Sequence, residues 1–334
     1  MILFACTSPP PSPPTDAPAV FPCAESGGGP NCSTFYLGWA PGQDERNFPL
    51  TVGLPIGESD STYFSLQVHY NNPNGVSGRV DDSGFTLLYT PKLRQYDAAV
   101  LTVGQRAITI PPGAPDFRLQ PNVCPSTCTS RLRAPLRLLY SGLHMHTLGR
   151  SIVTQHIRNG TELPPVGSKQ FYDYNFQSVN PVPLDSSLLL PGDVLVTTCS
   201  YDSTSRTNVT KFGEGTADEM CFNFITYYPR DPGFTACMSL DTMAADPRVA
   251  FCGNSTTARR VSAAFAELRS VANATRSTRV AAGGNGSVSA AGSSGLSAVA
   301  ANLSAEPALA PLFRSGALAS LQDVSVYGLR RDTH

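Results

Sequence analysis

His144-Met145-His146 sets two imidazoles two residues apart. On an extended strand, residues i and i+2 share a face, so the rings project side by side and make half of a metal site. The third ligand must come from a neighbouring strand, and Met220 of Asp218-Glu219-Met220-Cys221-Phe222 opens a segment able to supply it. A thioether is a soft donor that suits Cu(I) and serves Zn, Mg or Mn poorly, so two His and one Met point to copper passing through its reduced state. Two surface histidines and a core methionine would write the same letters. His69, in Leu66-Gln67-Val68-His69-Tyr70, falls with Gln67 on the polar face of its strand and by itself reads as an exposed or hydrogen-bonded histidine. Asp218 and Glu219 read as turn or hydrogen-bonding neighbours of Met220 rather than an acid–base pair. His156, expected at the surface after a strand-like run, and His334, the last residue, receive no role.

The elements that must position these residues are strands. Short alternating runs over 63–70, 85–89, 136–140, 151–157, 193–199 and 222–228 are cut by Asn71-Asn-Pro-Asn-Gly75, Pro111-Pro-Gly113, Asn159-Gly160 and Pro191-Gly-Asp193. No long helical period intervenes, and an all-β jelly-roll sandwich follows. Residues 7–34 are rich in Pro, Gly and Ser and form a loop or mobile insertion, with regular structure beginning near Phe35. After Cys252 the composition shifts to Ala, Ser, Gly and Asn. Val261, Ala264, Phe265, Leu268 and Val271 carry the spacing of one short helix, over 258–272, in a tail that otherwise reads as disordered.

The chain has 334 residues, 41% hydrophobic and 15% charged, with net charge −1. Its 24 Lys and Arg form no dense basic run, which excludes a nucleic-acid footprint. No apolar run approaches the roughly 18 residues of a membrane-spanning helix. Nine cysteines without the spacing of a zinc module read as disulfides; Cys124-x3-Cys128 has no second pair to complete a zinc site. Glycosylation sequons start at Asn31, Asn159, Asn208, Asn254, Asn273, Asn285 and Asn302 and, with the cysteines, favour the secretory lumen, the cell surface or the exterior. The stretch Met1 to Cys6 runs into Pro9-Pro10-Pro11 without the basic and apolar regions of a signal peptide.

Several motifs occur in order: Gly38-Trp-Ala-Pro-Gly42, Leu54-Pro-Ile-Gly57, Leu66-Gln-Val-His-Tyr-Asn-Asn-Pro73, Ile110-Pro-Pro-Gly113, Leu143-His-Met-His-Thr-Leu-Gly-Arg150, Pro191-Gly-Asp193, Gly215-Thr-Ala-Asp-Glu-Met-Cys221 and Tyr227-Tyr-Pro229. Over roughly residues 1 to 240 the chain resembles the copper type II, ascorbate-dependent monooxygenases, on their dopamine beta-hydroxylase-like branch. The resemblance implies two jelly-roll domains facing each other across a cleft, each with one copper. His144, His146 and Met220 would bind the copper that activates dioxygen. His69 would belong to the copper that supplies an electron, with Gln67 lining it. Ascorbate would be the electron donor, and an aliphatic C–H of a small molecule would be hydroxylated, with Phe222, Phe224 and Tyr227, beside Tyr228, lining the pocket.

The same resemblance pairs Cys199 with Cys221 and Cys124 with Cys237, leaving Cys128 for Cys252 and Cys6 for either Cys23 or Cys32. It implies a partial first copper domain over 1–72, a linker over 73–83, a second copper domain over 84–254 and a tail over 255–334. The family's adjacent His-His pair stands directly before a segment like Met1–Cys6, so Met1 is expected to be an internal methionine of a longer product. Gly142 and Phe224 occupy the positions of a peptidylglycine-type substrate arginine and tyrosine, which disfavours a peptide carboxylate. The competing expectation is a non-catalytic secreted glycoprotein, structural or adhesive, with one copper or none.

Overall fold

The computed structural model describes residues 1–9, 32, 34–57, 61–239 and 251–253. Most of the 7–34 insertion, Cys23, the helix expected over 258–272 with the rest of the tail, His334, and the sequons at Asn31, Asn254, Asn273, Asn285 and Asn302 lie outside the described residues. The chain opens with β1 (Ile2–Cys6), β2 (Thr34–Gly38), β3 (Val52–Gly53) and β4 (Tyr63–Gln67). Next come β5 (Tyr96–Asp97), β6 (Ala99–Gln105), β7 (Thr109–Ile110), β8 (Phe117–Arg118), β9 (Asn122–Cys124) and the single-turn helix α1 (Ser126–Thr129). The long strands β10 (Leu136–His144), β11 (Gly149–Arg158) and β12 (Thr161–Lys169) lead to β13 (Val179–Pro181) and β14 (Leu188–Leu189). The described part closes with β15 (Val194–Tyr201), β16 (Thr210–Lys211), β17 (Cys221–Tyr228), β18 (Ala236–Ser239) and β19 (Phe251–Gly253).

These strands make an all-β sandwich. A seven-stranded sheet in the order β13-β10-β17-β6-β18-β19, with β14 also on β10, packs on a five-stranded sheet ordered β12-β11-β15-β8, with β9 also on β15. Alternation decides which side chains enter the core between them. Cys221, Asn223, Ile225 and Tyr227 of β17 point inward, as do Leu101 and Val103 of β6, against Val166, Leu195, Ile152 and Tyr201 of the facing sheet. All seven residues of β6 are buried, because its outer face is covered as well. The cover is a three-stranded antiparallel sheet, β2-β1-β4, whose Phe35 stacks on Phe224 of β17 with centroids 4.5 Å apart.

One irregularity sets the parity of the site. In β10, Leu136 and Leu138 are core residues, and the pairing with β17 slips between Leu138 and Tyr140. A bulge adds one residue to one strand and moves everything beyond it to the opposite face. Ser141 and Leu143 therefore take the core side, and Gly142 and His144 project outward. Gly104 marks the same sheet: at φ +132 a side chain there would run into the carbonyl of Cys221 and the Phe222 backbone, so only glycine lets β6 approach β17 this closely.

Two expectations about strands are corrected. The 85–89 run is not a strand: it pairs with no strand among the described residues, and Leu88 and Tyr89 are exposed, although Phe85 packs on Leu3, Ala5 and Tyr36. Regular structure begins at Ile2, not near Phe35, because β1 is the central strand of its sheet and pairs on both edges. His156 is likewise not at the surface: it is fully buried, with Nε2 2.8 Å from Asp193 Oδ2. Four disulfides form, Cys6–Cys32, Cys124–Cys237, Cys128–Cys252 and Cys199–Cys221, which resolves the choice for Cys6. Asn159 and Asn208 are exposed. Among the described residues no helix is long and apolar enough to cross a membrane.

Candidate metal centre

Between the seven-stranded sheet and the β2-β1-β4 cover lies a cavity of about 520 Å³, walled by His144, His146, Met220, Phe222 and Phe224 on one side and by Phe4, Phe35, Trp39, Arg46 and His69 on the other. His144 ends β10, and alternation carries on past the strand end: Met145 is fully buried in the core, and His146 turns back to the cavity. The Tyr172 hydroxyl, 2.9 Å from Met145 N and 2.6 Å from Met145 O, fixes this turn of backbone. The two imidazoles stand 5.2 Å apart, nearly perpendicular.

Each ring has one nitrogen already engaged. His144 Nδ1 is 2.6 Å from Gln177 Oε1, and His146 Nδ1 is 2.9 Å from the carbonyl of Asp218. Both partners are acceptors, so Nδ1 carries the proton and Nε2 keeps its lone pair, the tautomer in which histidine ligates metals. Burial, followed by the neighbouring His146 ring, brings the His144 pKa down to about 3, and burial also lowers His146. Both rings are thus neutral at pH 7, as ligation requires.

Met220 reaches the same wall through independent restraints. Its carbonyl accepts from Tyr201 OH at 2.9 Å, and the disulfide from Cys221 to Cys199 ties its strand to β15. Glu219, fully buried, accepts from the N–H groups of His146 at 2.9 Å, Leu148 at 2.6 Å and Met220 at 3.2 Å. One carboxylate so fastens the backbone of His146 to that of Met220. Burial raises its pKa to about 7, against the lowering effect of those three donors.

Among the described residues no group of three His, Cys, Asp or Glu gathers, so the donor set that fits a metal here is two imidazole nitrogens and one thioether sulfur. That set suits Cu(I). His69, exposed and just beyond the end of β4, adds one imidazole to the opposite wall, and a single donor does not make a second metal site. Gln67 is buried, its Oε1 without a partner among the described residues, and does not line the cavity. Phe222 and Phe224 line it as expected, whereas Tyr227 does not: it is fully buried in the core, its hydroxyl bonded to the carbonyls of Asp231 and Phe234. Tyr228 faces Tyr96, 5.2 Å away, and is also absent from the wall.

Sequence reasoning missed Gln177, Tyr174 and Arg46. No motif flags Gln177; it matters because its backbone N–H binds Pro41 O at 2.8 Å while its side chain orients His144. The Gly38–Gly42 turn hands its position to the imidazole through that residue, and Gly42, at φ +80, leaves no room for a side chain against Asn175 and Phe176.

The family model described as copper type II ascorbate-dependent monooxygenase, C-terminal domain, matches residues 96–245, and its N-terminal counterpart matches residues 1–77. The chain is similar to MOXD1 homolog 1 of Drosophila melanogaster, 38% identical over 206 residues, covering 60% of this chain and 29% of that protein. It is 37% identical over 204 residues to tyramine beta-hydroxylase of Caenorhabditis briggsae (60% and 34% covered) and 37% over 205 residues to dopamine beta-hydroxylase of Canis lupus familiaris (60% and 32% covered). The chain spans about a third of the length of these curated relatives.

Proposed function

Because the chain belongs to the copper type II ascorbate-dependent monooxygenase family, we propose that it serves an ascorbate-dependent hydroxylation in which His144, His146 and Met220 hold copper. The observation that carries this reading is the pair of Nδ1 bonds, to Gln177 and to the Asp218 carbonyl, which leave two Nε2 lone pairs in one cavity wall with Met220. When bound there, copper would supply one-electron chemistry toward dioxygen. In the balanced reaction a C–H substrate, dioxygen, two electrons from ascorbate and two protons give an alcohol and water.

The protein's part is to position and to exclude water. Gln177 and the Asp218 carbonyl orient the rings, Glu219 fixes the spacing of the two ligand-bearing segments, and Phe35, Phe222 and Phe224 present an apolar floor to a C–H bond. His69 is proposed as one donor of the electron-supplying centre. Residues 1–72 and 84–254 are read as the two domains joined by 73–83. The four disulfides, with exposed Asn159 and Asn208, support maturation in an oxidising, glycosylating compartment.

Anaerobic titration of the metal-free full chain, its disulfides intact, with Cu(I) tests the centre. About one tightly held copper per chain, with nitrogen and sulfur neighbours by X-ray absorption, is expected; a chain that takes up none refutes the assignment. Ascorbate-dependent oxygen consumption by the loaded chain, supplemented with candidate substrates, then tests turnover.

A further inference from the structure

Resting on the monooxygenase reading, the geometry points to Arg46 as the anchor for a carboxylate on the substrate, so that the molecule hydroxylated is an organic acid with an aromatic or apolar body. Arg46 lies in the loop after β2, in the cavity wall facing the seven-stranded sheet. Among the described residues its buried Nε–H finds no acceptor, and none of the ion pairs includes it. Withdrawing a guanidinium N–H from water without a partner is unfavourable, and a guanidinium stays charged throughout the physiological range. A ligand carboxylate supplies the missing acceptor and matches the Nε/Nη fork with two parallel bonds.

Position along β10 gives the anchor its meaning. Asn47, next to Arg46, accepts the Tyr140 hydroxyl at 2.5 Å, and Phe48 meets the Tyr140 ring edge-on. The Arg46 loop is therefore pinned at the level of Tyr140, four residues along the strand from His144. Four residues of strand span roughly 13 Å. Gly142 and the Phe35–Phe224 stack lie between the two levels, an apolar floor fit for the body of a ligand held by its acid at one end and presenting a C–H at the other. Arg106 also has a buried, unpartnered Nε–H in this wall, but its guanidinium rests 4.5 Å over the Phe212 ring. It follows Gln105, which pairs with Cys221, so it lies at the Met220 end, where a carboxylate would take the place of the reacting carbon.

The test is calorimetric binding to the copper-free full chain, using phenylacetate, phenylbutanoate and phenylhexanoate with their primary amides and the corresponding amines. The acids should bind more tightly than the amides by about tenfold or more, with one chain length preferred, and the amines most weakly. Arg46→Gln should lower acid affinity about ten- to a hundredfold and leave amide affinity unchanged, while Arg46→Lys retains part of it. Should Arg46→Gln not fold, the acid-to-amide ratio of the unaltered chain decides. Equal affinity for acid and amide, a preference for amines, or an Arg46→Gln variant altered only in its dependence on ascorbate overturns the anchor. Cu(I) uptake distinguishes the two failures: acids that bind to a chain unable to take up Cu(I) remove substrate status from the subsite, whereas Cu(I) uptake without acid preference removes the subsite and leaves the copper centre.

Discussion

The two walls of the cavity are built to different standards. The sandwich wall stands on two buried clusters, one running from Leu101 through Leu138 to Tyr227 and one from Ile110 through Met145 to Tyr201, and is crossed by three disulfides. Among the described residues the β2-β1-β4 wall has two small clusters, around Leu3, Ala5 and Tyr36 and around Phe4, Cys6 and Cys32, one disulfide, and large side chains such as Tyr63, Leu66 and Tyr70 turned to solvent. All three proposed copper ligands come from the rigid wall. The thinner wall supplies His69, Arg46 and the Pro41 carbonyl that holds Gln177. A metal centre needs its donors fixed to fractions of an ångström, whereas a face that admits substrate can be held by fewer contacts.

The largest expected difference between the walls lies in their disulfides. In the loop-entropy account, the Cys124–Cys237 bridge, separated by 113 residues, restricts the unfolded chain far more than Cys6–Cys32, separated by 26. Replacing Cys124 and Cys237 by Ser should cost about 5 kcal/mol, against about 3.5 kcal/mol for Cys6 and Cys32, as measured by denaturant unfolding. Only the first replacement should also lower Cu(I) uptake, because Cys124–Cys237, like Cys199–Cys221, joins the two sheets beneath the ligands, whereas Cys6–Cys32 lies in the covering sheet. Equal loss of copper from both variants would mean that the walls are not independent.

Next in size is Met220→Ile. Isoleucine keeps an apolar side chain but offers no lone pair, so Cu(I) affinity should fall by about a hundredfold or more while the unfolding midpoint moves little. Gln177→Leu should act more weakly. It removes the acceptor at His144 Nδ1 without touching a ligand, and losses of this kind are about ten- to a hundredfold in metal affinity. Restoration by Gln177→Glu, which keeps an acceptor, separates orientation of the imidazole from simple packing. Loss of copper from Gln177→Leu without loss of fold would tie the thinner wall to the centre through Pro41.

Much of the rigid wall was legible in the letters. His144-Met145-His146 carries its own parity, and the rings do share a face with Met145 opposite. What alternation could not tell was which face, because the bulge between Leu138 and Tyr140 reverses the parity set by Leu136 and Leu138, and no residue in that stretch announces it. Tyr227 was misread as a pocket residue for the related reason that an aromatic on a strand fits either face; the hydrogen bonds of its hydroxyl to two backbone carbonyls settle it in the core. Strand β1 went unread because five apolar-rich residues beside a Pro-rich run look like an end rather than the middle of a sheet. The role of Arg46 is invisible in sequence, since only the fold shows its buried Nε–H facing the cavity with no acceptor among the described residues.

The smallest expected effect concerns pH, and it belongs to the rigid wall away from the cavity. Asp193, almost fully buried, accepts from Arg158 Nε at 2.9 Å, from Leu190 N–H at 2.7 Å and from His156 Nε2 at 2.8 Å. Burial opposes its charge, yet the bonds from Arg158, Leu190 and His156 outweigh it and hold the carboxyl below its ordinary value of 3.8. A folded pKa below the unfolded one means the unfolded chain binds the extra proton in acid. The stabilisation is fully present above the unfolded value and is lost as pH falls through the folded one. Urea unfolding from about pH 6 down to pH 3 should therefore show the intact chain losing stability below about pH 4, while Asp193→Asn, less stable at neutral pH, loses less on acidification and the gap between them narrows. A gap that stays constant across that range would mean that the Arg158 and His156 contacts do not depend on the charge. Asp193→Asn should leave Cu(I) uptake at neutral pH unchanged, because Asp193 fastens β11 to the turn before β15, and the rings of His144 and His146 rest on Gln177 and the Asp218 carbonyl instead.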